Sequence, residues 1–198
     1  MIAQGIALVL TVVLGAADPR PPAVPPMTPL PAAPAPYVSG TAGCVIPDPS
    51  GTGGCVTAPT AWLMGQVRLR FGDLKAQCWD EHAWNPTSDH PLGRACDYVI
   101  GKTGAFAEGD DVARGWLLAR WFRVNAIALR VHYVIWQGRI WSWEHHEQSW
   151  RPYLGAGVYD VSTPDGGHYD HVHVSTVDSR PEDLFPAAAD QARENRKP

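Results

Sequence analysis

Two short stretches rich in histidine and aspartate constrain the fold of this chain more than any other feature. They read SDHPLGRACD at residues 88–97 and HYDHVH at residues 168–173, and they lie far apart in the sequence. Imidazole and carboxylate groups are ligands that a borderline metal such as zinc prefers in proteins. We therefore predict a fold that brings the two stretches together around a metal site.

The second stretch leads into a segment with the alternation of a β-strand. Successive side chains of a strand point to opposite faces. His171 and His173 would therefore share one face, while Val172 and Val174 point into the core. The pattern predicts two imidazoles on one polar face of a sheet.

The first stretch leads into a second predicted strand, ACDYVI at residues 95–100. Its alternation places Asp97 on the face opposite the apolar side chains, so the strand presents a single carboxylate to its neighbour. His90 comes before this strand in a turn that Pro91 and Gly93 favour.

The ligand types indicate a catalytic rather than a structural zinc site. A catalytic site keeps three protein ligands and an open fourth position, whereas structural sites are usually closed by four ligands rich in cysteine. His90, Asp97 and His173 fit the catalytic pattern. Such a metal lowers the pKa of bound water to about 7 and polarises a carbonyl, which suits amide hydrolysis. His171 would then act as a base or transition-state donor beside the metal.

The combined pattern resembles that of a known group of enzymes. SxHxxGxAxD at residues 88–97, followed by HxH at residues 171–173, resembles the signature of the zinc peptidases that group lysostaphin, D-alanyl-D-alanine metallopeptidases and the hedgehog amino-terminal domain. Among these branches, the chain is most similar to the D-alanyl-D-alanine carboxypeptidase-like domain of secreted actinobacterial proteins, over residues 44–176. The resemblance implies a hedgehog/D,D-peptidase-like α+β fold, with a small antiparallel β-sheet flanked by helices.

The same resemblance implies roles for single residues. It assigns one zinc ion to His90, Asp97 and His173. Many D-alanyl-D-alanine members use a glutamate three residues before the last histidine as general base, and Asp170 stands at that position here. Strand parity turns Asp170 away from His171 unless the strand begins after it. We therefore predict His171 as the catalytic base, with Asp170 as the second candidate.

One part of the family pattern is missing. Members tend to carry an arginine shortly before the first motif, and this arginine holds the developing oxyanion. The segment QCWDEHAWNPTS at residues 77–88 contains no arginine. His82 or a residue further downstream is the candidate to replace it.

Two classes of function follow from these residues. The complete ligand set and the additional His171 favour an enzyme, a zinc-dependent peptidoglycan amidohydrolase of the D,D-carboxypeptidase or endopeptidase type that cleaves the cell-wall stem or cross-link. The missing arginine favours the alternative, a catalytically weak or inactive metal-binding module that recognises cell-wall peptides or a protein partner. The predicted partners are peptidoglycan peptides, and the protein is expected to be a monomer. A net charge of −4 without a basic stripe argues against binding nucleic acid.

The amino-terminal part indicates export. Residues 1–17 form an apolar segment ending in small side chains, too short for a bilayer span of about 20 residues. They are predicted to be a secretory signal, with an uncleaved anchor as the alternative because no lysine or arginine precedes the apolar run. Residues 18–41 are rich in proline and alanine and predict a semi-rigid spacer. The zinc peptidase-like domain is expected over 42–178 and a flexible polar tail over 179–198. We expect a secreted or cell-wall-associated protein with no other membrane segment.

Four cysteines support the same conclusion, since an even number in an exported chain indicates disulfides. Three pairings are possible, and the one favoured joins Cys44 to Cys55 and Cys78 to Cys96. The alternative is a cysteine-ligated metal, but none of the spacings resembles a CxxC motif.

Periodicity predicts the remaining elements. Helices are expected over residues 57–71, with Thr60 as N-cap, and over residues 110–126, capped by Asp110. A strand is expected within residues 74–79.

A further strand is expected over residues 126–136, followed by a hairpin turn at Gln137 and Gly138. His132 lies within this strand and is interpreted as a packed or hydrogen-bonded residue rather than a ligand.

The segment 144–167 is long for a connection in a compact domain, which usually indicates a functional surface. Trp150, Arg151 and Tyr153 are predicted to line a substrate groove there.

Overall fold

The computed structural model describes residues 29–179 and Asp183. The predicted signal segment 1–17 lies outside the described residues. So do the first part of the predicted spacer and all of the predicted tail except Ser179 and Asp183.

Within the described residues, antiparallel strands form two sheets. A small ribbon pairs β1, Ile46–Pro47, with β2, Cys55–Val56. The main sheet has six strands, which in chain order are β3 (Ala76–Gln77), β4 (Ala95–Val99), β5 (Val131–Trp136), β6 (Arg139–Ser142), β7 (Arg151–Pro152) and β8 (His171–Thr176). Their spatial order is β3-β4-β8-β5-β6-β7, with all neighbours antiparallel. The strands that follow the two histidine-rich stretches, β4 and β8, are therefore direct neighbours.

Helices α1 (Ala58–Phe71), α2 (Asp110–Val124) and α3 (Ala126–Leu129) pack with the strands in the described part of the chain. Single 3-10 turns follow at Trp143–His145 and Gly155–Gly157. The buried apolar core joins the helices to one face of the sheet. Its members include Leu63, Val67, Cys96, Tyr98, Trp116, Leu118, Trp121, Phe122, Val134, Val172 and Val174. The α+β class and the inward position of Val172 and Val174 are confirmed, and the opposite sheet face is left for polar residues.

Both predicted disulfides are present, Cys44–Cys55 and Cys78–Cys96. They indicate an oxidising, extracytoplasmic environment. Among the residues that the structure describes, no helix is long and apolar enough to cross a membrane.

The predicted helix starts need correction. The first helix begins at Ala58, so Thr57 occupies the cap position and Thr60 lies inside the helix. Pro59 suits a first turn because its missing N–H would have no helical partner there. The second helix begins with Asp110 as a helical residue, and Gly109 precedes it.

The predicted strand over residues 126–136 is correct only in its second half. Residues 126–129 form α3 instead, which Arg130 ends by adopting a left-handed conformation with φ of 61°. The hairpin turn is confirmed, since Gln137 and Gly138 both have positive φ, as a tight turn between two twisted strands requires. The strand predicted within residues 74–79 is reduced to Ala76–Gln77.

The described part of the predicted spacer lies on the domain rather than extending from it. The Arg70 guanidinium donates hydrogen bonds to the carbonyls of Ala32 and Ala33, at 3.1 and 3.0 Å. The Trp121 indole donates to the Ala32 carbonyl at 3.1 Å, and the Tyr37 backbone N–H donates to α3. An extended proline-rich segment cannot bond with itself, so its carbonyls are free to bind helix side chains.

Candidate metal centre

The centre is built on the register of β4 against β8. Asp97 lies directly opposite His173 in this pair. Side chains opposite each other in an antiparallel pair have Cβ atoms about 4.5–5.5 Å apart, so the two groups meet. The Nδ1 atom of His173 lies 2.8 Å from Oδ1 of Asp97.

His90 reaches the same carboxylate from the turn before β4. Its ring Nδ1 lies 2.7 Å from the Cys78 carbonyl oxygen, and its Nε2 lies 3.2 Å from Oδ2 of Asp97. The Cys78–Cys96 disulfide links the backbone that orients His90 to the residue preceding Asp97. The turn also needs Gly93, which has φ of +66° and where a Cβ atom would lie 2.3 Å from the Cys44 sulfur.

The geometry of His90 favours a cation between its Nε2 atom and the carboxylate of Asp97. An imidazole that donates from Nδ1 to a carbonyl has, when neutral, a lone pair on Nε2. That lone pair would face a carboxylate oxygen, and two acceptors repel unless a proton or a metal ion lies between them. Burial alone would lower the pKa of His90, but the charge of Asp97 raises it to about 9.

Three donor atoms are close enough to share one ion. Ligand atoms of His90, Asp97 and His173 all lie within 4.8 Å of one another. Burial favours the protonated form of Asp97, yet the neighbouring imidazoles, His90 first, hold its pKa well below the usual value. A carboxylate and two imidazoles are a donor set that suits zinc, so the residues fit the predicted metal.

A buried network orients His173. Its Nε2 lies 3.1 Å from the Ser175 hydroxyl, which in turn hydrogen-bonds Asp89. Asp89 is paired with Arg94 at 2.6 Å, and the Tyr133 ring stacks on His173 at 5.3 Å between centroids. Metal-binding histidines commonly use their second nitrogen in such a bond, which fixes the ring and its tautomer. The sequence does not indicate these supporting residues, because they come from separate strands and a turn.

His171 and Asp170 form a pair beside the three predicted ligands. Nδ1 of His171 lies 2.7 Å from Oδ1 of Asp170, and the Gly104 backbone N–H donates to Oδ2 at 2.6 Å. β8 begins at His171, so Asp170 lies before the strand. Strand alternation therefore does not turn the Asp170 side chain away from His171. Nε2 of His171 lies 3.7 Å from Oδ1 of Asp97. Burial lowers the pKa of His171, but Asp97 and Asp170 raise it overall.

These groups open into a cleft of about 180 Å³. Its lining comes from the turn before β4, from β4, β5, β6 and β8, and from the 144–167 segment, and Asp170 is not part of it. The polar and aromatic side chains that line it include His82, Trp84, His90, Asp97, Tyr153, Tyr159, Asp165, His168, His171 and His173.

Only one of the three residues predicted to line the groove from the 144–167 segment does so. Tyr153 lines the cleft. Trp150 is instead buried edge-on against Trp116, at 5.1 Å between ring centroids. Burying its large apolar side chain in the core is favourable. Arg151 donates a hydrogen bond to the Ser142 hydroxyl at 3.0 Å and lies outside the cleft lining.

Two further histidines lie in the cleft. The His82 ring stacks on His90 at 4.9 Å between centroids. His168 packs against His171 at 4.7 Å, and burial holds its pKa well below the usual value, which favours the neutral imidazole. His168 belongs to the histidine-rich stretch, but its left-handed φ of 56° was not predictable from that pattern. His132 pairs with Glu144 outside the cleft, so its interpretation as a hydrogen-bonded strand residue is confirmed.

Comparison with protein families gives a match that covers much of the domain. The model of the family described as VldE, C-terminal domain, matches residues 52–163, more than half of the chain. The chain belongs to the VldE C-terminal domain family. The VldE C-terminal domain match includes His90 and Asp97 and ends before His171 and His173. Neither curated proteins nor solved structures give a match to the chain.

Proposed function

We propose that this protein is a secreted, zinc-dependent peptidoglycan amidohydrolase with a hedgehog/D,D-peptidase-like fold. Its reaction would be cleavage of a peptide bond in the cell-wall stem or cross-link, of the D,D-carboxypeptidase or endopeptidase type. The observation that carries the proposal is the meeting of His90, Asp97 and His173 within 4.8 Å. The His171–Asp170 pair lies beside them, and the cleft gives access.

The ligands would hold a zinc ion, which when bound polarises an amide carbonyl and makes water a nucleophile near neutral pH. The chain supplies the proton transfer. Asp170 accepts the Nδ1–H of His171, which leaves the Nε2 lone pair of His171 facing the site. His171 can therefore take a proton from the attacking water and return it to the leaving amine.

The cleft also supports stabilisation of the developing oxyanion without an arginine. His82 and His168 both line it, and each neutral imidazole has one N–H to donate. These two histidines are our candidates for the role of the missing arginine.

The test uses purified protein with both disulfides formed and muropeptides as substrate, with and without a chelator. We expect hydrolysis products in mass spectra that disappear with the chelator and return when zinc is added. Products that persist in the chelator would contradict a metal-dependent reaction.

The alternative function is a metal-binding module that recognises cell-wall peptides or a protein partner without turnover. It is supported by the cleft lining, in which the described residues include no arginine. The same experiment separates the two functions, because a module would bind muropeptides and yield no products.

A further inference from the structure

The charges of the cleft bear on which substrate it accepts. The described residues that line the cleft include no lysine or arginine. An adjoining depression of about 400 Å³ shares His82, His90, Asp97 and Asp165 with the cleft. The described residues that line this depression also include no lysine or arginine. The fixed charges of both spaces are carboxylates.

Asp165 is the carboxylate best placed to meet a substrate. It is exposed, it lines both spaces, and it lies in the loop before β8. Its carboxylate lies within 4.8 Å of ligand atoms of Asp170 and His171. A group held by Asp165 would therefore lie next to the proposed base.

Asp80 adds a second negative charge on the adjoining side. Its carboxylate is largely exposed and lies 3.0 Å from Nδ1 of His82. Asp80 and Asp165 thus place negative charge on the walls that surround the three metal ligands.

An aromatic wall of the cleft is a second, independent indication that a positively charged group of the substrate binds here. Trp84 lines the cleft with 59% of its surface exposed, which is unusual for so large an apolar side chain. Tyr159 packs edge-on against it at 5.2 Å and is held by a 2.9 Å hydrogen bond from Asn85. Exposed aromatic faces attract ammonium groups through the negative charge of the ring face, Trp most strongly.

We infer that the cleft recognises a peptide that carries a primary ammonium group near an internal amide bond. Asp165 and Trp84 would be the residues that determine this specificity. The inference rests on the proposed function and deepens it, since it favours endopeptidase over carboxypeptidase cleavage.

The same charges disfavour a substrate that ends in a free carboxylate beside the cleaved bond. A carboxypeptidase must hold that terminal carboxylate, and arginine or lysine are the groups that do so best. Here the charge of a divalent ion would already be offset by Asp97, and Asp165 and Asp170 add further negative charge nearby.

The test separates binding from turnover. Soluble cross-linked muropeptides are used in three preparations: untreated, with amines acetylated, and with carboxyl groups amidated. Binding to the zinc-loaded His171→Ala variant is measured by calorimetry, and turnover is measured with the wild type. We expect acetylation to weaken binding about tenfold, the effect of losing one ammonium contact with a carboxylate and a ring. Amidation should leave binding unchanged or make it tighter.

The variant that isolates the effect is Asp165→Asn, made in the His171→Ala background. It should weaken binding of the untreated peptides and abolish the difference between untreated and acetylated preparations. The matched control is Glu147→Gln, an exposed carboxylate outside both spaces, which should keep the tenfold difference.

Each outcome decides one of the two claims. Equal binding of untreated and acetylated peptides, a preference that survives in Asp165→Asn, weaker binding after amidation, or no binding at all would overturn the inference. Peptides that bind with the expected preference but are not cleaved by the wild type would overturn the amidohydrolase proposal and leave the inference standing.

Discussion

Asp170 and His171 are adjacent in sequence and hydrogen-bonded to each other, with Oδ1 of Asp170 2.7 Å from Nδ1 of His171. The carboxylate is buried and lies outside the cleft lining, whereas the ring lines the cleft. This arrangement gives the two residues different tasks. His171 would transfer the proton, and Asp170 would fix the tautomer and orientation of its ring.

The first prediction follows from this division. His171→Ala should lower kcat by roughly 10²- to 10⁴-fold, the usual contribution of a general acid–base group, while retaining metal. Asp170→Ala should retain the larger share of kcat, because it removes the group that orients the ring but introduces no donor that would force the wrong tautomer. Both are measured on a muropeptide that the wild type cleaves, with metal content determined in each variant. If Asp170→Ala costs more than His171→Ala at equal metal content, Asp170 is the base.

Much of this site was predictable from local patterns, because strand alternation alone determines which side chains share a face. It put His171 and His173 on one face and Asp97 on the polar side of its own strand. The register that sets Asp97 opposite His173 depends on pairing between distant strands, which no local pattern encodes. The contributions of Asp165 and Trp84 come from loops, where no periodicity exists to indicate direction.

The disulfide beside the site should matter more for metal binding than the other one. The Cys78 carbonyl orients His90, and Cys96 precedes Asp97. We expect the double replacement Cys78→Ala/Cys96→Ala to weaken zinc affinity as well as to cost about 2–5 kcal/mol of unfolding free energy. Calorimetric zinc titration and urea denaturation measure the two effects.

Cys44→Ala/Cys55→Ala is the matched control, because that bridge joins the segment before β1 to the first residue of β2, whereas the Cys78 carbonyl orients His90. It should lower stability with a smaller change in zinc affinity. Equal losses of affinity in the two double variants would show that the effect of the first is only global destabilisation.

Gly93→Ala tests the turn between His90 and Asp97. The left-handed conformation costs a residue with a Cβ about 1–2 kcal/mol, and overpacking against the Cys44 sulfur and the Cys55 carbonyl adds about 1–3 kcal/mol. Gly72→Ala is the control, since Gly72 has φ of +77° but no atom within 4 Å of the added Cβ. Urea denaturation should show the larger loss for Gly93→Ala, and equal losses would refute the close approach.

The amino-terminal segment should stabilise the domain. We compare the chain beginning at residue 29 with the chain beginning at residue 42, which lacks the hydrogen bonds to Arg70, Trp121 and α3. At about 0.5–1.5 kcal/mol for each bond, discounted for exposure, the shorter chain should lose about 1–3 kcal/mol of unfolding free energy. The same urea midpoint for both chains would mean that the segment is only a spacer.

The central claim is that His90, Asp97 and His173 together hold one zinc ion. Elemental analysis of the dialysed, disulfide-bonded protein tests it most directly, with His145→Ala as a control at an exposed histidine outside the cleft. We predict about one zinc per chain in the wild type and the control, and almost none in His90→Ala, Asp97→Ala or His173→Ala, because two remaining ligands hold zinc too weakly. A folded wild type without zinc after exposure to it, or an unchanged zinc content in any of the three variants, would contradict the assignment.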